Sequence, residues 1–311
     1  MSFIAVPNPC PYAGFRQMAY HCPSPLAPLE PDPMSQTSQI PSAQLIEQGL
    51  FHHRRGETQM AMDRYVEVLR RDPQNADALY YSSVIACQEG QFKEGIDLAR
   101  RSLRFRRGQA RAHNLIGKAL SEMGQPKDAL DAFDEALACD INFAEAYGNR
   151  GNALSELGRF SEALSSYDRA LEFEPIGPNW INRGTALEAL GRVDAAIESY
   201  DKAIALEPNV AIPHVNRAHA LLSAGRPDEA LAATERAVAL DPKLPHGHLA
   251  KAQVLSKGGQ TEAALAAADQ ALKLAPQLPE AHKARVSLLT ALGRTEEAEQ
   301  SRQTLAGLAK G

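Results

Sequence analysis

The chain has 311 residues, 44% hydrophobic and 23% charged, with a net charge of −5. That balance is ordinary for a water-soluble protein and gives no support to nucleic acid as the main ligand. No apolar run approaches the ~20 residues that cross a bilayer, so no membrane span is expected.

The first 41 residues carry nine of the 20 prolines, among them Pro7, Pro9, Pro11, Pro31, Pro33 and Pro41. Proline this dense cannot donate helix hydrogen bonds, and no periodic apolar face accompanies it, so residues 1–41 read as a disordered, Pro-rich leader. The opening MSFIAVPNPCPYAG has neither a basic start nor an uninterrupted apolar segment, so no secretory signal is expected. Met34, just ahead of the ordered part, offers a second reading of the start. Cys10, Cys22, Cys87 and Cys139 form no C-x-x-C pair, so neither a disulfide framework nor a zinc ribbon is implied, and a reduced, cytoplasmic setting is the expectation.

From Ser42 onward one pattern repeats. Gly56, Gly90, Gly124, Gly158, Gly191, Gly225, Gly259 and Gly293 are 34 residues apart, except for one step of 33. A fixed period in this range means stacked units of paired helices. Eight units begin at Ser42, Ala76, Ala110, Ala144, Gly177, Ala211, Pro245 and Pro279, and residues 42–311 are assigned to them. Within a unit, position 8 holds Gly49, Ser83, Gly117, Gly151, Gly184, Ala218 and Ala252, departing only at Val286. Position 20 is Ala or Gly in all eight, position 24 is aromatic at Tyr65, Phe133, Tyr167 and Tyr200, and position 32 is proline in five, from Pro73 to Pro276. Small residues at 8 and 20 let the two helices of a unit approach closely. The aromatic at 24 is expected to fill the space against the next unit. Glycine at 15 supplies a left-handed turn, and proline at 32 stops the second helix.

These positions resemble the signature of the tetratricopeptide repeat family over about the last 270 residues. The resemblance implies an all-α, right-handed superhelical solenoid of eight helix-turn-helix repeats, acting as a protein-interaction scaffold. Two units are weak: repeat 2, with Ser83, Gly95, Ala99 and Ser102 at its packing positions and Arg107 in place of the proline, and repeat 8, with Val286, Arg302 and Leu305. The chain closes on LAGLAKG, where Leu305 and Leu308 suggest an end that is bare, docked, or used for self-association.

Three groups of side chains invite a chemical reading. His113, His214, His248 and His282 all fall at position 4, where the family packs a large residue; His214 and His219 are five apart, which misses the spacing of helical zinc motifs. Packing rather than metal binding is therefore expected, and no cofactor is implied. Arg100, Arg101, Arg104, Arg106, Arg107 and Arg111 lie within twelve residues, with no acid between Asp97 and Glu122. They suit the C-terminal end of a helix dipole and read either as a solvated face or as a docking patch for an acidic or phosphorylated partner.

The third group is a column of asparagines. In tetratricopeptide superhelices, positions 2, 5, 6, 9, 12 and 13 face the concave groove. Position 6 gives Asn149, Asn182 and Asn216, each followed by Arg; position 9 adds Lys118, Asn152, Thr185 and His219, and position 5 adds Asn114. A carboxamide both donates and accepts, so a row of them can hold a peptide backbone whatever its side chains. The column is similar to the asparagine ladder in the tetratricopeptide arm of O-linked N-acetylglucosamine transferase. The carboxylate clamp of other family members is matched by Asn152 and Asn182 but not by Gly148, Ile212 and Asn216. No catalytic motif occurs, and no room is left for a catalytic domain beside the repeats. The expectation is a non-catalytic scaffold for a protein or peptide of unknown identity. The rival is a substrate-recruiting arm of a glycosyltransferase system whose catalytic domain is on another chain or lost.

Overall fold

A computed structural model describes residues 40–308. The leader expected at 1–41 lies outside the described residues except for Ile40 and Pro41, as do residues 309–311. Among the described residues there are sixteen α-helices and no strand. They come in pairs: α1 (Ser42–Arg54) with α2 (Thr58–Arg71), α3 (Ala76–Gln88) with α4 (Phe92–Phe105), α5 (Ala110–Glu122) with α6 (Pro126–Cys139), and α7 (Ala144–Glu156) with α8 (Phe160–Phe173). The series continues with α9 (Gly177–Ala189) and α10 (Val193–Leu206), α11 (Ile212–Ser223) and α12 (Pro227–Leu240), α13 (Pro245–Lys257) and α14 (Thr261–Leu274), and α15 (Pro279–Ala291) and α16 (Thr295–Leu308). The chain is an all-α solenoid of helix-turn-helix repeats. None of these helices is long and apolar enough to cross a membrane.

The described residues fall into two compact units, 40–146 and 147–308. Inside each, a second helix packs on the first helix of the next pair, as α2 does on α3 and α10 on α11. First helices also neighbour one another, α3 beside α5 in one unit, and α9, α11, α13 and α15 in sequence in the other. Each unit is thus two layers, one of first helices and one of second helices.

The hinge inside each pair has one geometry. Each of the eight periodic glycines has a φ between 71° and 78°, a left-handed conformation that costs little only without a Cβ. The next residue's N–H then reaches back five residues to a helix carbonyl, as Arg192 N does to Leu187 O at 2.8 Å and Glu57 N to His52 O at 3.0 Å. This is the Schellman closure of a helix end.

The position-24 aromatics reach the next unit as the sequence suggested, Tyr65 stacking on Tyr81 with ring centroids 5.5 Å apart and Tyr200 sharing a core with Ala218 and Leu221. Each of them also lies over the position-8 glycine of its own pair. A Cβ on Gly49, Gly117, Gly151 or Gly184 would fall 2.3–2.5 Å from a ring carbon of Tyr65, Phe133, Tyr167 or Tyr200 respectively. The two helices come close enough that ring and methyl cannot both fit. Pairs without the ring carry a side chain at position 8 instead: Ser83 with Ala99, Ala218 with Thr234, and Ala252 with Ala268. Position 20 is buried throughout, from Ala61 to Ala298. In repeat 2 it is Gly95 because the Cys87 sulfur would lie 2.3 Å from any Cβ there. Repeat 2 nevertheless forms two helices of ordinary length. Where its proline is missing, Gln109 ties the loop down by donating to Arg106 O at 3.0 Å and Ser102 Oγ at 3.1 Å.

Candidate functional site

In residues 147–308 the asparagine column sits on the first-helix layer, and it is largely buried. Asn149, Asn182 and Asn216 are 6%, 5% and 5% exposed. The cause is the neighbouring first helix: Asn182 Nδ2 on α9 donates to Asn152 Oδ1 on α7 at 2.9 Å, and Tyr167 OH donates to the same oxygen at 2.9 Å. Ser155 Oγ stands 3.2 Å from the Tyr167 hydroxyl. Two polar atoms of the column find no partner among the described residues, the Asn182 Oδ1 acceptor and the Asn216 Nδ2 donor. A buried polar atom left unpaired costs about 1–3 kcal/mol, so each retains unmet bonding capacity.

Thr185, one turn beyond Asn182, donates to Ile181 O at 3.2 Å and lies 3.4 Å from the Tyr200 hydroxyl. Tyr200 OH donates to Glu188 Oε2 at 2.5 Å. Glu188 is half-buried with no cation paired to it, and burial raises its carboxyl to about 7 against the weaker opposite pull of the Tyr200 hydrogen bond. Burial likewise pushes the Tyr167 and Tyr200 phenols upward. His219 on α11 is held below its ordinary value, first by burial and then by the neighbouring His246. The sequence reading passed over Glu188; an acid at a position occupied by Ser155 and Leu222 in the flanking repeats was the available signal.

The arginines that follow the asparagines serve a different purpose from the column. Arg183 Nε donates to Asp168 Oδ1 of the preceding repeat at 2.7 Å and its Nη1 to Ser199 Oγ of its own at 2.8 Å. Arg217 pairs with Asp201 at 2.6 Å, Lys251 with Glu235 at 3.4 Å, and Arg285 with Asp269 at 2.6 Å. Position 7 of one repeat thus pairs with position 25 of the one before, four times in succession. The alternation of base at 7 and acid at 25 was present in the letters, but its meaning depends on which faces meet.

Histidines at position 4 also have a structural use. His248 Nε2 meets the Pro242 carbonyl at 3.0 Å and His282 Nε2 the Pro276 carbonyl at 2.9 Å, tying a first helix to the end of the previous pair. Beside the column, Arg183 stacks over the Trp180 ring, 5.5 Å from its centroid.

In residues 40–146, Asn114 is buried on α5, and Lys118 pairs with Glu145 at 3.0 Å. The structure divides the arginine run. Arg106 is locked in a two-pronged pair with Asp77. Arg100, Arg101, Arg104, Arg107 and Arg111 are all exposed and, among the described residues, form no ion pair. Arg111, in the first turn of α5, stands near Tyr80, whose phenol burial raises to about 12.

Comparison with known proteins fits this architecture. Tetratricopeptide repeat models match residues 49–111, 181–245 and 249–308, with further models of the same repeat on 110–140 and 144–175. Among solved structures, YrrB, described as a TPR protein with an unusual peptide-binding site, is 23% identical with a TM-score of 0.50, over 60% of this chain and 97% of that one. A tetratricopeptide repeat protein from Parabacteroides merdae is 16% identical with a TM-score of 0.61, over 80% and 98%. The APC/C hetero-tetramer Cut9-Hcn1 is 15% identical with a TM-score of 0.62, over 81% of this chain but only 50% of that one. At these identities the likeness is one of fold. No curated protein matches the chain. With family models covering well over half of its length, the chain belongs to the tetratricopeptide repeat family.

Proposed function

We propose that the chain is a non-catalytic interaction module that holds an extended polypeptide segment along the first-helix layer of residues 147–308. Asn149, Asn182 and Asn216 bond the segment's backbone, with Asn152, Thr185 and His219 beside them. Tetratricopeptide repeat proteins generally mediate protein–protein interaction, and the fold supports protein or peptide partners at that level. The observation that carries the finer reading is the unpaired Asn182 acceptor and Asn216 donor on neighbouring first helices. They complement the N–H and C=O of a peptide backbone. Packed helices lie about 8–10 Å apart, a span of roughly three extended residues. The terminal torsion of asparagine is broad, so the carboxamide can turn its unpaired atom to the surface, Asn182 exchanging its bond to Asn152 Oδ1 for bonds to the ligand. Each bond gained would contribute about 0.5–1.5 kcal/mol.

The test is capture of extended synthetic peptides, followed through Trp180 emission. The triple variant Asn149→Ala, Asn182→Ala, Asn216→Ala should bind at least about tenfold more weakly while keeping its helical circular dichroism. Unchanged binding by that variant places the ligand elsewhere. The rival in which the chain recruits substrate for a separate glycosyltransferase drew on a bare end at Leu305 and Leu308. Both are half-buried on α16, whose exposed residues, from Thr295 and Glu296 to Gln303 and Thr304, are mostly polar, so these two leucines lend the rival and self-association little support.

A further inference from the structure

We infer a second interaction surface, independent of the asparagine column: Arg100, Arg101 and Arg104 on α4, with Phe105 and Arg107 just beyond, form a docking face for a carboxylate-rich, extended polypeptide segment.

The first reason is the fate of the other arginines. Arg64, Arg169 and Arg302 each reach a glutamate three residues away on their own helix, and Arg159, Arg226 and Arg294, each just ahead of a helix, reach a glutamate in its first turn. The α4 arginines do not, although Asp97 lies one turn earlier and exposed on the same side of the helix. Arg100 and Arg104 sit one turn apart as like charges, an arrangement that works against the helix itself. The helix dipole favours one or two cations at this end, and Arg106 with its Asp77 partner is available there.

The second reason is position. The ladder that pairs base with acid in residues 147–308 has no counterpart here. Its acid position is taken by Arg100, and its base position on α5 by the buried Ile116. The charge therefore turns outward.

The third reason selects the ligand. At 100° per residue, Arg100, Arg104, Arg101 and Phe105 fan over an arc of about 140°. They do not converge as they would around one phosphate. Arg100 and Arg104 are ~5–6 Å apart along the helix, close to the ~6.7 Å between alternate side chains of an extended strand. Successive carboxylates on every second residue can thus meet successive guanidiniums, each through the two-pronged geometry that Arg106 already adopts with Asp77. Phe105, 47% exposed beside them, offers an apolar foothold to a peptide side chain. A long nucleic acid would run off the patch onto a chain whose net charge is −5.

The experiment uses the full chain and fluorescence anisotropy of a labelled alternating Glu-Ala peptide of about eight residues, matched to the patch length. Controls are the Gln-Ala peptide and a labelled oligothymidine of equal length. The Glu-Ala peptide should bind, the Gln-Ala peptide should not, and affinity should fall at least about fivefold between ~50 and ~200 mM salt. Replacing Arg100, Arg101, Arg104 and Arg107 with Ser should weaken Glu-Ala binding at least about tenfold, with helicity unchanged. Asn182→Ala with Asn216→Ala should leave it unchanged, which separates this surface from the proposed backbone-holding column. The inference is overturned if the four-Ser variant binds as well as wild type, if no Glu-Ala binding occurs, or if oligothymidine binds more tightly. It is equally overturned if light scattering shows a dimer that the four-Ser variant abolishes, since the face then belongs to a second copy.

Discussion

Residues 147–308 and residues 40–146 are built from the same pair of helices but handle charge in opposite ways. In the first region, Arg183, Arg217, Lys251 and Arg285 each reach a carboxylate on the preceding repeat. In the second, Ser82 and Ile116 stand at the base position, while Val66 and Arg100 stand at the acid position of the two repeats before them and Asp134 keeps an acid in the third. The apolar packing is common to both, with Gly49 under Tyr65 and Gly117 under Phe133 in one, and Gly151 under Tyr167 and Gly184 under Tyr200 in the other. Stacking therefore does not require the ionic ladder. The ladder joins successive repeats of one region, and in the other Arg100 stands at its acid position and is exposed.

If packing is shared, breaking it should cost the same in both regions. Gly117→Ala and Gly184→Ala each put a methyl 2.5 Å from an aromatic carbon. Each should lower stability by about 2–3 kcal/mol, despite the better helix propensity of alanine, as read by urea unfolding. Pairing Gly184→Ala with Tyr200→Ala recreates the Ala252 and Ala268 arrangement. The double variant should be less destabilised than the sum of the singles by at least about 1 kcal/mol. Additive costs would show that ring and glycine do not share one space.

A smaller effect distinguishes the regions through a buried acid. Glu188 titrates near 7 when folded, above its unfolded value, because burial disfavours its charge and only the Tyr200 hydroxyl hydrogen-bonds it. The folded state thus binds the proton more tightly. The stability this group contributes is complete below the unfolded pKa and is lost as pH rises through about 7. Between about pH 6 and pH 8 wild type should lose about 1 kcal/mol relative to Glu188→Gln. Parallel pH profiles for the two proteins would refute the assignment.

The regions also differ in how far the letters disclosed them. The hinge glycines, the helix pairs and the small residues at positions 8 and 20 were legible because they depend on local backbone geometry at a fixed period. The aromatic's contact with the next unit was legible, but its close fit over the position-8 glycine of its own pair was not, since that depends on how near the two helices approach. Asn149, Asn182 and Asn216 were legible as a column, but their burial was not: it comes from the neighbouring first helix, where Asn152 lies 30 residues before Asn182. Arg183 and Arg217 were noticed only as followers of asparagine, although Asp168 and Asp201 carry the complementary half of the pattern.

The ladder's own contribution is next in size. Arg217 and Asp201 are both partly solvated, so a double-mutant cycle on Arg217→Ala and Asp201→Ala should return a coupling of about 0.5–1 kcal/mol, decreasing with added salt. Because each repeat contacts only its neighbours, removing Arg183, Arg217 and Arg285 together should cost roughly the sum of the three. A coupling near zero would mean that the ladder records the stacking without stabilising it.

The smallest effect is expected where charge is most dense. Replacing Arg100, Arg101 and Arg104 with Ser removes one cation in the last turn of α4, Arg104, which favours that helix end by about 0.3–1 kcal/mol at low salt, while Arg100 and Arg101 lie a turn too early to contribute much. It also removes the repulsion of Arg100 and Arg104 one turn apart, which opposes the helix by about 0.2–0.5 kcal/mol, and the desolvation that like charges impose on each other. Ser is a slightly poorer helix former than Arg, but among the described residues none of the three side chains is buried or ion-paired. The terms offset, and the unfolding midpoint should move by no more than about 0.5 kcal/mol, with little dependence on salt. A loss comparable to that of the Arg183, Arg217 and Arg285 deletion would mean that these arginines support the fold after all, and the contrast between the two regions would vanish.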